Sequence, residues 1–265
     1  MLSVIIPTYN RAAYLNRSLA SLIKQNYPKD NFEVIVIDDG SEDDTAKIAS
    51  QFKNDLNLKY FRESHLGVSW ARNLGIEKAN GEILVFFDDD ALAAENWLEN
   101  IARVMIGEDI ITGQVKPINN NFWQYFAPHY HQGDKPQESS VLLEGNCAIK
   151  RKVFSKIGLF DENLDYGHEG EEFITRVGKR YKIMYYPEVI IYHDYAKGFR
   201  NYFQKQKKFG QKKAYLESRG LVREKNNSIH NQPLANLNWP KKIIIKIIAY
   251  LGALFHFWGY FGYKK

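Results

Sequence analysis

Three consecutive aspartates, Asp88, Asp89 and Asp90, directly follow the apolar run Ile83 to Phe87. A strand of that composition is buried, so it delivers its terminal carboxylates to the edge of a sheet. Like charges at such an edge repel one another unless a cation lies between them. The cluster therefore predicts a metal or phosphate site, with an acidic turn held by capping hydrogen bonds as the alternative.

Apolar strands alternate with amphipathic helices in the first third of the chain. We predict strands at 3–7, 33–38 and 58–61, and helices at about 12–25 and 43–53. This alternation predicts an α/β fold with a mostly parallel central sheet flanked by helices, in which ligands bind at the carboxyl ends of the strands.

Polar clusters follow three of the predicted strands, at 7–11, 38–41 and 88–90. Because the strands are predicted to be parallel, the three clusters would lie along one rim and form one site. A further predicted helix opens at Gly67 and continues through Ala79. Its N-terminus with Arg72 could cradle a diphosphate, whereas an ordinary surface arginine is the alternative.

Composition and charge narrow the class of protein. The chain has 265 residues, of which 45% are hydrophobic, enough for the core of one large domain. A single cysteine, Cys147, excludes an intramolecular disulfide, and the chain starts in a strand-like run without a cleavable leader, which favours the cytoplasm. The net charge of +5 is unevenly distributed along the chain, since residues 197–225 form a basic patch with ten Lys or Arg and two Glu.

Four ordered blocks resemble the family-2 glycosyltransferases of the GT-A fold. The blocks are Ser3 to Arg11, Val34 to Ser41, Gly67 to Gly81 and Phe86 to Asp90. The resemblance covers residues 1 to about 195. It implies an inverting hexosyltransferase that uses Mn²⁺ or Mg²⁺ to move a sugar from a nucleotide diphosphate donor, usually a UDP-sugar, to an acceptor hydroxyl.

The resemblance also assigns expected roles to individual residues. Asp39 would hydrogen-bond the base of the donor, and Arg72 would lie near the donor. Asp88 and Asp90 match the Asp-x-Asp of the family, with Asp90 the expected metal ligand and Asp89 the most replaceable of the three. His193, at the end of a late strand, would join the metal or diphosphate site. The remaining donor-binding residues are predicted to be Pro7, Thr8, Tyr9, Arg11 and Asp89.

An inverting reaction needs a base that takes the proton of the acceptor hydroxyl. The family supplies it from a Glu-Asp pair before a short helix, and here the matching stretch runs from 167 to 176 with Gly170 at the aspartate position. We therefore expect Glu169 or Glu171 to act as the base, with Glu172 as a weaker candidate that orients the helix. A solvated acidic helix start is the alternative.

The last third predicts two helices. Aromatic and aliphatic residues recur every seventh position from Tyr202 to Leu216 among lysines, which predicts a basic amphipathic helix. Residues 243–263 are apolar apart from Lys246 and His256. That segment could lie in a membrane interface or form a homodimer, span a bilayer, or pack on the protein's own core.

The predicted organisation has three parts. Residues 1–112 form a nucleotide-sugar-binding half, residues 113–195 form the acceptor-binding and catalytic half of the same domain, and residues 196–265 form the two C-terminal helices. His129 and His131 are expected to be loop or acceptor-pocket residues, because no third metal ligand stands at a fixed spacing from them.

The expected partners are a nucleotide diphosphate sugar, a carbohydrate or lipid-linked acceptor, and the cytoplasmic membrane surface, to which the protein would attach peripherally. Nucleic acid is not expected, because no nucleic-acid-binding module surrounds the basic patch. The predicted function is polysaccharide or glycolipid assembly. A sugar-nucleotide nucleotidyltransferase and a catalytically silent, membrane-associated sugar-nucleotide-binding protein are the alternatives.

Overall fold

The computed structural model describes residues 1–119, 122–164, 168–178, 180–221 and 239–263. The strands within these ranges are β1 (Leu2–Thr8), β2 (Phe32–Asp38), β3 (Leu58–Arg62), β4 (Ile83–Phe87), β5 (Leu92–Ala93), β6 (Ile110–Lys116), β7 (Gln137–Glu138), β8 (Asn146–Lys150) and β9 (Met184–Tyr192). The helices are α1 (Ala12–Ile23), α2 (Thr45–Gln51), α3 (Val68–Lys78), α4 (Trp97–Val104), α5 (Arg151–Ile157), α6 (Glu169–Val177), α7 (Phe199–Ser218) and α8 (Trp239–Tyr263).

The described strands form one sheet in the order β3-β2-β1-β4-β8-β6-β9-β5, and β7 pairs with β9. Strands β1 to β4 pair in parallel, as the sequence predicts, and so do β6 and β9. Strand β8 runs antiparallel between β4 and β6. The predicted fold class is confirmed, and the sheet continues without a break from the predicted donor half into the predicted acceptor half.

The two faces of the sheet carry separate apolar clusters. Val4 and Ile6 of β1 face one cluster, while Ile5 faces the other, as the alternation of side chains along a strand requires. Helix α3 packs closely on the second face, because a Cβ atom at Gly75 would lie 2.3 Å from Ile5 Cγ2. This close approach positions Arg72, which lies one turn earlier on the same helix.

The two C-terminal helices pack on each other at very short range. A Cβ atom at Gly210 of α7 would lie 1.9 Å from the carbonyl oxygen of His256, and one at Gly259 of α8 would lie 1.9 Å from the carbonyl oxygen of Lys207. Tyr202 packs in the same way on Gly252. Helix α8 therefore packs on α7 along one side, and the prediction that this segment packs on the protein's own core is the alternative closest to this arrangement.

The opposite side of α8 is apolar and exposed. Its exposed large apolar residues include a set that recurs at helical spacing, namely Ile244, Ile247, Leu251, Leu254, Trp258 and Phe261. Within the described residues, α8 is the one helix whose length and mean hydropathy of 1.5 would allow it to cross a bilayer, a test that core helices and signal sequences also pass. Residues 222–238, 264 and 265 of the predicted C-terminal part lie outside the described residues.

Candidate active site

A cavity of about 1700 Å³ opens at the carboxyl ends of β1, β2 and β4 and is closed on another side by α7. Almost all of the site residues predicted from the sequence line it. They are Pro7, Thr8, Tyr9, Arg11, Asp39, Arg72, Asp88, Asp89, Asp90, Glu169, Glu171 and His193. The three polar clusters therefore lie along one rim, because β1, β2 and β4 are parallel neighbours.

The three consecutive aspartates have different surroundings. Asp89 is buried, its Oδ2 accepts the Thr8 hydroxyl at 2.7 Å, and its Oδ1 lies 3.3 Å from Arg11 Nε. Burial raises the pKa of Asp89 to about 7, although Arg11 opposes this rise. Burial would also raise the pKa of Asp90, but His193 and Arg11 hold it far below the ordinary value. The burial and contacts of Asp89 weigh against the expectation that it is the most replaceable aspartate.

The predicted metal-binding trio is only partly assembled. His193 Nε2 lies 3.1 Å from Asp90 Oδ1, and both side chains line the cavity. Asp88 instead forms an ion pair with Arg72, with 3.2 Å between Asp88 Oδ1 and Arg72 Nη2. No three His, Cys, Asp or Glu side chains within the described residues stand at metal-binding spacing. The assignment of Asp88, Asp90 and His193 as metal ligands therefore stays a prediction, in which Asp90 and His193 are in contact with each other and Asp88 is paired with Arg72.

This pair suits a hard divalent cation. Mn²⁺ accepts both carboxylate oxygen and imidazole nitrogen, and Mg²⁺ and Mn²⁺ at nucleotide sites take few protein ligands beside phosphate oxygens. Asp90 and His193 are the residues that would hold such an ion.

Arg72 is the buried centre of a charge network. Its Nη1 lies 3.1 Å from Glu169 Oε1, and both side chains are almost completely buried. Burial raises the pKa of Glu169, although the neighbouring Arg72 guanidinium opposes this rise. Arg72 therefore joins α3, the end of β4 and the start of α6 through charged contacts, and the surface-arginine alternative is wrong.

Asp39 holds the loop that precedes α3. Its Oδ1 accepts the backbone N–H of Leu66 at 2.7 Å, and its Oδ2 accepts that of Gly67 at 2.9 Å. The His65 ring of the same loop stacks on Tyr9, with 4.0 Å between the ring centroids. Asp39 and Tyr9 thus shape one wall of the cavity together with His65, a residue that the sequence patterns did not single out.

The three glutamates at the start of α6 point in different directions. Glu172 is buried and bonds twice to Arg176, at 2.5 and 2.7 Å, and it does not line the cavity. These contacts favour the alternative role of Glu172, which is to orient the helix, and its role as a base stays the weaker prediction. Glu169 and Glu171 do line the cavity, and Glu171 Oε2 lies 2.6 Å from His168 Nδ1.

Other residues that line the cavity were not predicted individually from the sequence. Glu144 and Tyr130 come from the predicted acceptor-binding half, and Lys205 and Phe209 come from α7. His129 also lines the cavity, and burial lowers its pKa to about 4. His131 instead bonds to Gln114, with 2.5 Å between the ring Nδ1 and the amide nitrogen. No sequence signal distinguishes Glu144, because it belongs to no catalytic motif.

The chain is similar to known glycosyltransferases. The sequence profile of Glycosyl transferase family 2 matches residues 3–158, and that of Glycosyltransferase like family 2 matches residues 137–230. Glycosyltransferase AglE of Haloferax volcanii is 31% identical over 218 residues, which are 78% of this chain and 71% of that protein. The poly(ribitol-phosphate) beta-N-acetylglucosaminyltransferase TarS of Staphylococcus aureus is 38% identical over 122 residues.

Several of these relatives are much longer proteins. The TarS match covers 44% of this chain and 21% of TarS, and the match to a validoxylamine A glucosyltransferase of Streptomyces hygroscopicus covers 26% of that protein. The chain therefore spans about a quarter of the length of some curated relatives that it matches.

Solved structures of glycosyltransferases share the fold. The crystal structure of Staphylococcus aureus TarS superposes with a TM-score of 0.63 at 25% identity, over 78% of this chain and 38% of that one. Mannosyltransferase PcManGT from Pyrobaculum calidifontis superposes with a TM-score of 0.67 at 22% identity, over 97% of this chain and 82% of that one. The architecture is thus the GT-A fold, and the chain belongs to glycosyl transferase family 2.

Proposed function

We propose that the chain transfers a sugar, with inversion, from a nucleotide diphosphate donor to an acceptor hydroxyl in polysaccharide or glycolipid assembly. The observation that carries the proposal is that one cavity is lined by Asp90 and His193 together with residues from the ends of β1 and β2 and from α3. Related folds support the donor class, since TarS was solved with UDP and with UDP-GlcNAc, and PcManGT with GDP-Man and Mn²⁺. A UDP-sugar is the donor we favour.

The proposed mechanism assigns most of the work to positioning and charge. A divalent cation, when bound, would neutralise the charge that develops on the diphosphate leaving group. Asp90 and His193 would hold that cation. Arg72 keeps Asp88 and Glu169 in place. Lys205 places its amino group at the cavity wall, where burial lowers the pKa of that group.

Donor binding provides the direct test. UDP-GlcNAc, UDP-glucose and GDP-mannose should be compared for the rise in melting temperature that each causes with and without Mn²⁺. We expect a UDP-sugar to raise the melting temperature by several degrees, and more with Mn²⁺ than without it, because a ligand that binds only the folded state stabilises it. Equal melting temperatures with every nucleotide sugar would contradict the proposal.

A catalytically silent sugar-nucleotide-binding protein is the second candidate, and Gly170 is the observation that favours it. Both candidates predict stabilisation by the donor. They differ in turnover, since an enzyme incubated with the stabilising donor and Mn²⁺ releases the nucleoside diphosphate, whereas a silent protein leaves the donor intact.

We further propose peripheral attachment to the cytoplasmic leaflet through the exposed apolar side of α8, with the lysines of α7 contributing charge. In the double variant Ile247→Asp/Leu254→Asp, binding to vesicles that contain phosphatidylserine should weaken at least about tenfold, because two apolar side chains no longer leave water. Co-sedimentation measures this binding. Ile106→Asp, at an exposed position after α4, is the matched control.

Two outcomes would contradict membrane attachment. The double variant could bind the vesicles as strongly as the natural chain does. Alternatively, the natural chain could sediment as a dimer without lipid and the double variant as a monomer, which would assign the apolar side to a homodimer interface.

A further inference from the structure

The space beside Gly170 is filled by the carboxylate of Glu144. The backbone N–H of Gly170, in the first turn of α6, donates to Glu144 Oε1 at 2.5 Å. A Cβ atom at position 170 would lie 2.6 Å from that oxygen and 2.7 Å from the carbonyl oxygen of Leu142. A side chain at position 170 would therefore displace Glu144, and the glycine and the glutamate fit each other as a pair.

Glu144 also faces the cavity close to the end of β4. Gly145, the next residue, packs against Asp88 so closely that a Cβ atom there would lie 2.1 Å from Asp88 Oδ2. Glu144 is half-buried and lines the same cavity as Asp90 and His193. A carboxylate that lies in the cavity and remains accessible is in a position to meet a substrate hydroxyl.

The neighbouring carboxylates are held by stronger partners. Glu169 is buried in its ion pair with Arg72, and Glu171 bonds to the ring of His168. Glu144, in contrast, is bonded to a backbone N–H. A proton taken by Glu169 would break a buried ion pair, whereas Glu144 forms no ion pair within the described residues.

We propose that Glu144 is the general base of the transfer, an inference that rests on the proposed function. The Glu144 carboxylate takes the proton of the acceptor hydroxyl as the acceptor oxygen bonds to the anomeric carbon of the donor. The bond between that carbon and the diphosphate oxygen breaks, and its electron pair leaves with the nucleoside diphosphate. The protonated Glu144 then returns its proton to water.

The variant Glu144→Gln tests this role. Glutamine keeps an oxygen that can accept the Gly170 N–H, so the helix start stays bonded, but it cannot take the proton. We expect kcat for release of the nucleoside diphosphate to fall by about 10²–10⁴-fold, the usual contribution of a general base, while the rise in melting temperature caused by the donor stays unchanged. Glu138→Gln on β7, whose side chain is 62% exposed, is the matched control and should keep the natural rate.

A second variant separates chemistry from structure. In Glu144→Ala, added formate should restore part of the lost kcat, because a small carboxylate can occupy the vacated volume. A rate that does not respond to formate, or a Glu144→Gln variant that no longer responds to the donor, would assign Glu144 a structural role and overturn the proposal.

Two further outcomes complete the test. Natural activity in Glu144→Gln together with loss of activity in Glu169→Gln or Glu171→Gln would place the base on α6 and overturn the role of Glu144. Absence of both donor stabilisation and nucleoside diphosphate release in the natural chain would overturn the proposed function itself, before any variant is compared.

Discussion

Replacing Arg72 with methionine is expected to lower the free energy of unfolding by about 3–5 kcal/mol, because the buried Glu169 would lose its charge partner. Arg72 is 4% exposed and Glu169 is 3% exposed, so water cannot take the place of the guanidinium. Urea denaturation at neutral pH, followed by circular dichroism, measures the change.

The matched control for this prediction is Arg103→Met. Arg103 lies 3.0 Å from Glu188, almost the same separation as the 3.1 Å between Arg72 and Glu169, but its side chain is 59% exposed. An exposed pair contributes only about 0–1 kcal/mol, so the control should unfold almost like the natural chain. Adding Glu169→Gln to Arg72→Met should recover much of the loss, since the unpaired charge is then gone. Equal losses in the two single variants would contradict the buried-network interpretation.

Replacing Asp90 with asparagine is expected to reduce sugar transfer by about 10²-fold or more, because the site loses the carboxylate that would hold the cation. Asparagine has nearly the same size, so the packing of β4 should persist. The additional rise in melting temperature that Mn²⁺ gives to the donor complex should disappear at the same time. Release of the nucleoside diphosphate and thermal unfolding measure these two effects.

Asp109→Asn is the control for the Asp90 variant. Asp109 also carries two cationic neighbours, with Lys150 Nζ at 3.2 Å and Lys152 Nζ at 2.8 Å, but it lies outside the cavity. Its replacement should leave both transfer and the Mn²⁺ effect unchanged. An Asp90→Asn variant that keeps the natural rate and the natural Mn²⁺ effect would remove Asp90 from the metal site.

The rim of the sheet was predictable because it depends on local patterns. The apolar runs of β1, β2 and β4 determine three buried parallel strands, and their polar termini must then meet. Likewise, the Gly67 to Gly81 block predicts α3, and the seven-residue repeat from Tyr202 predicts α7. These features follow from strand and helix periodicity within short stretches of the chain.

The side-chain partners were not predictable, because they depend on tertiary packing between distant segments. Arg72 pairs with Glu169 across 97 positions, and Glu144 reaches Gly170 across 26 positions. Because Gly170 stands at the position of the family's aspartate, the sequence suggested Glu169 or Glu171 as the base. In the structure the carboxylate of Glu144, from another segment, lies beside Gly170. The burial of Asp89 also depends on a distant segment, since its hydrogen-bond partner Thr8 belongs to β1.

The short-range packing of α7 on α8 has a consequence for how the chain can be dissected. Phe209 of α7 and His256 of α8 line the cavity, while Leu254 of α8 faces outward. Helices α7 and α8 thus both contribute to the cavity wall, and α8 also carries the exposed apolar side. Truncation before α8 would remove His256 from the cavity lining together with the exposed apolar side, so this truncation would change the cavity and the proposed membrane contact at the same time. Helix α8 thus belongs to the cavity wall through His256 and carries the exposed apolar side as well.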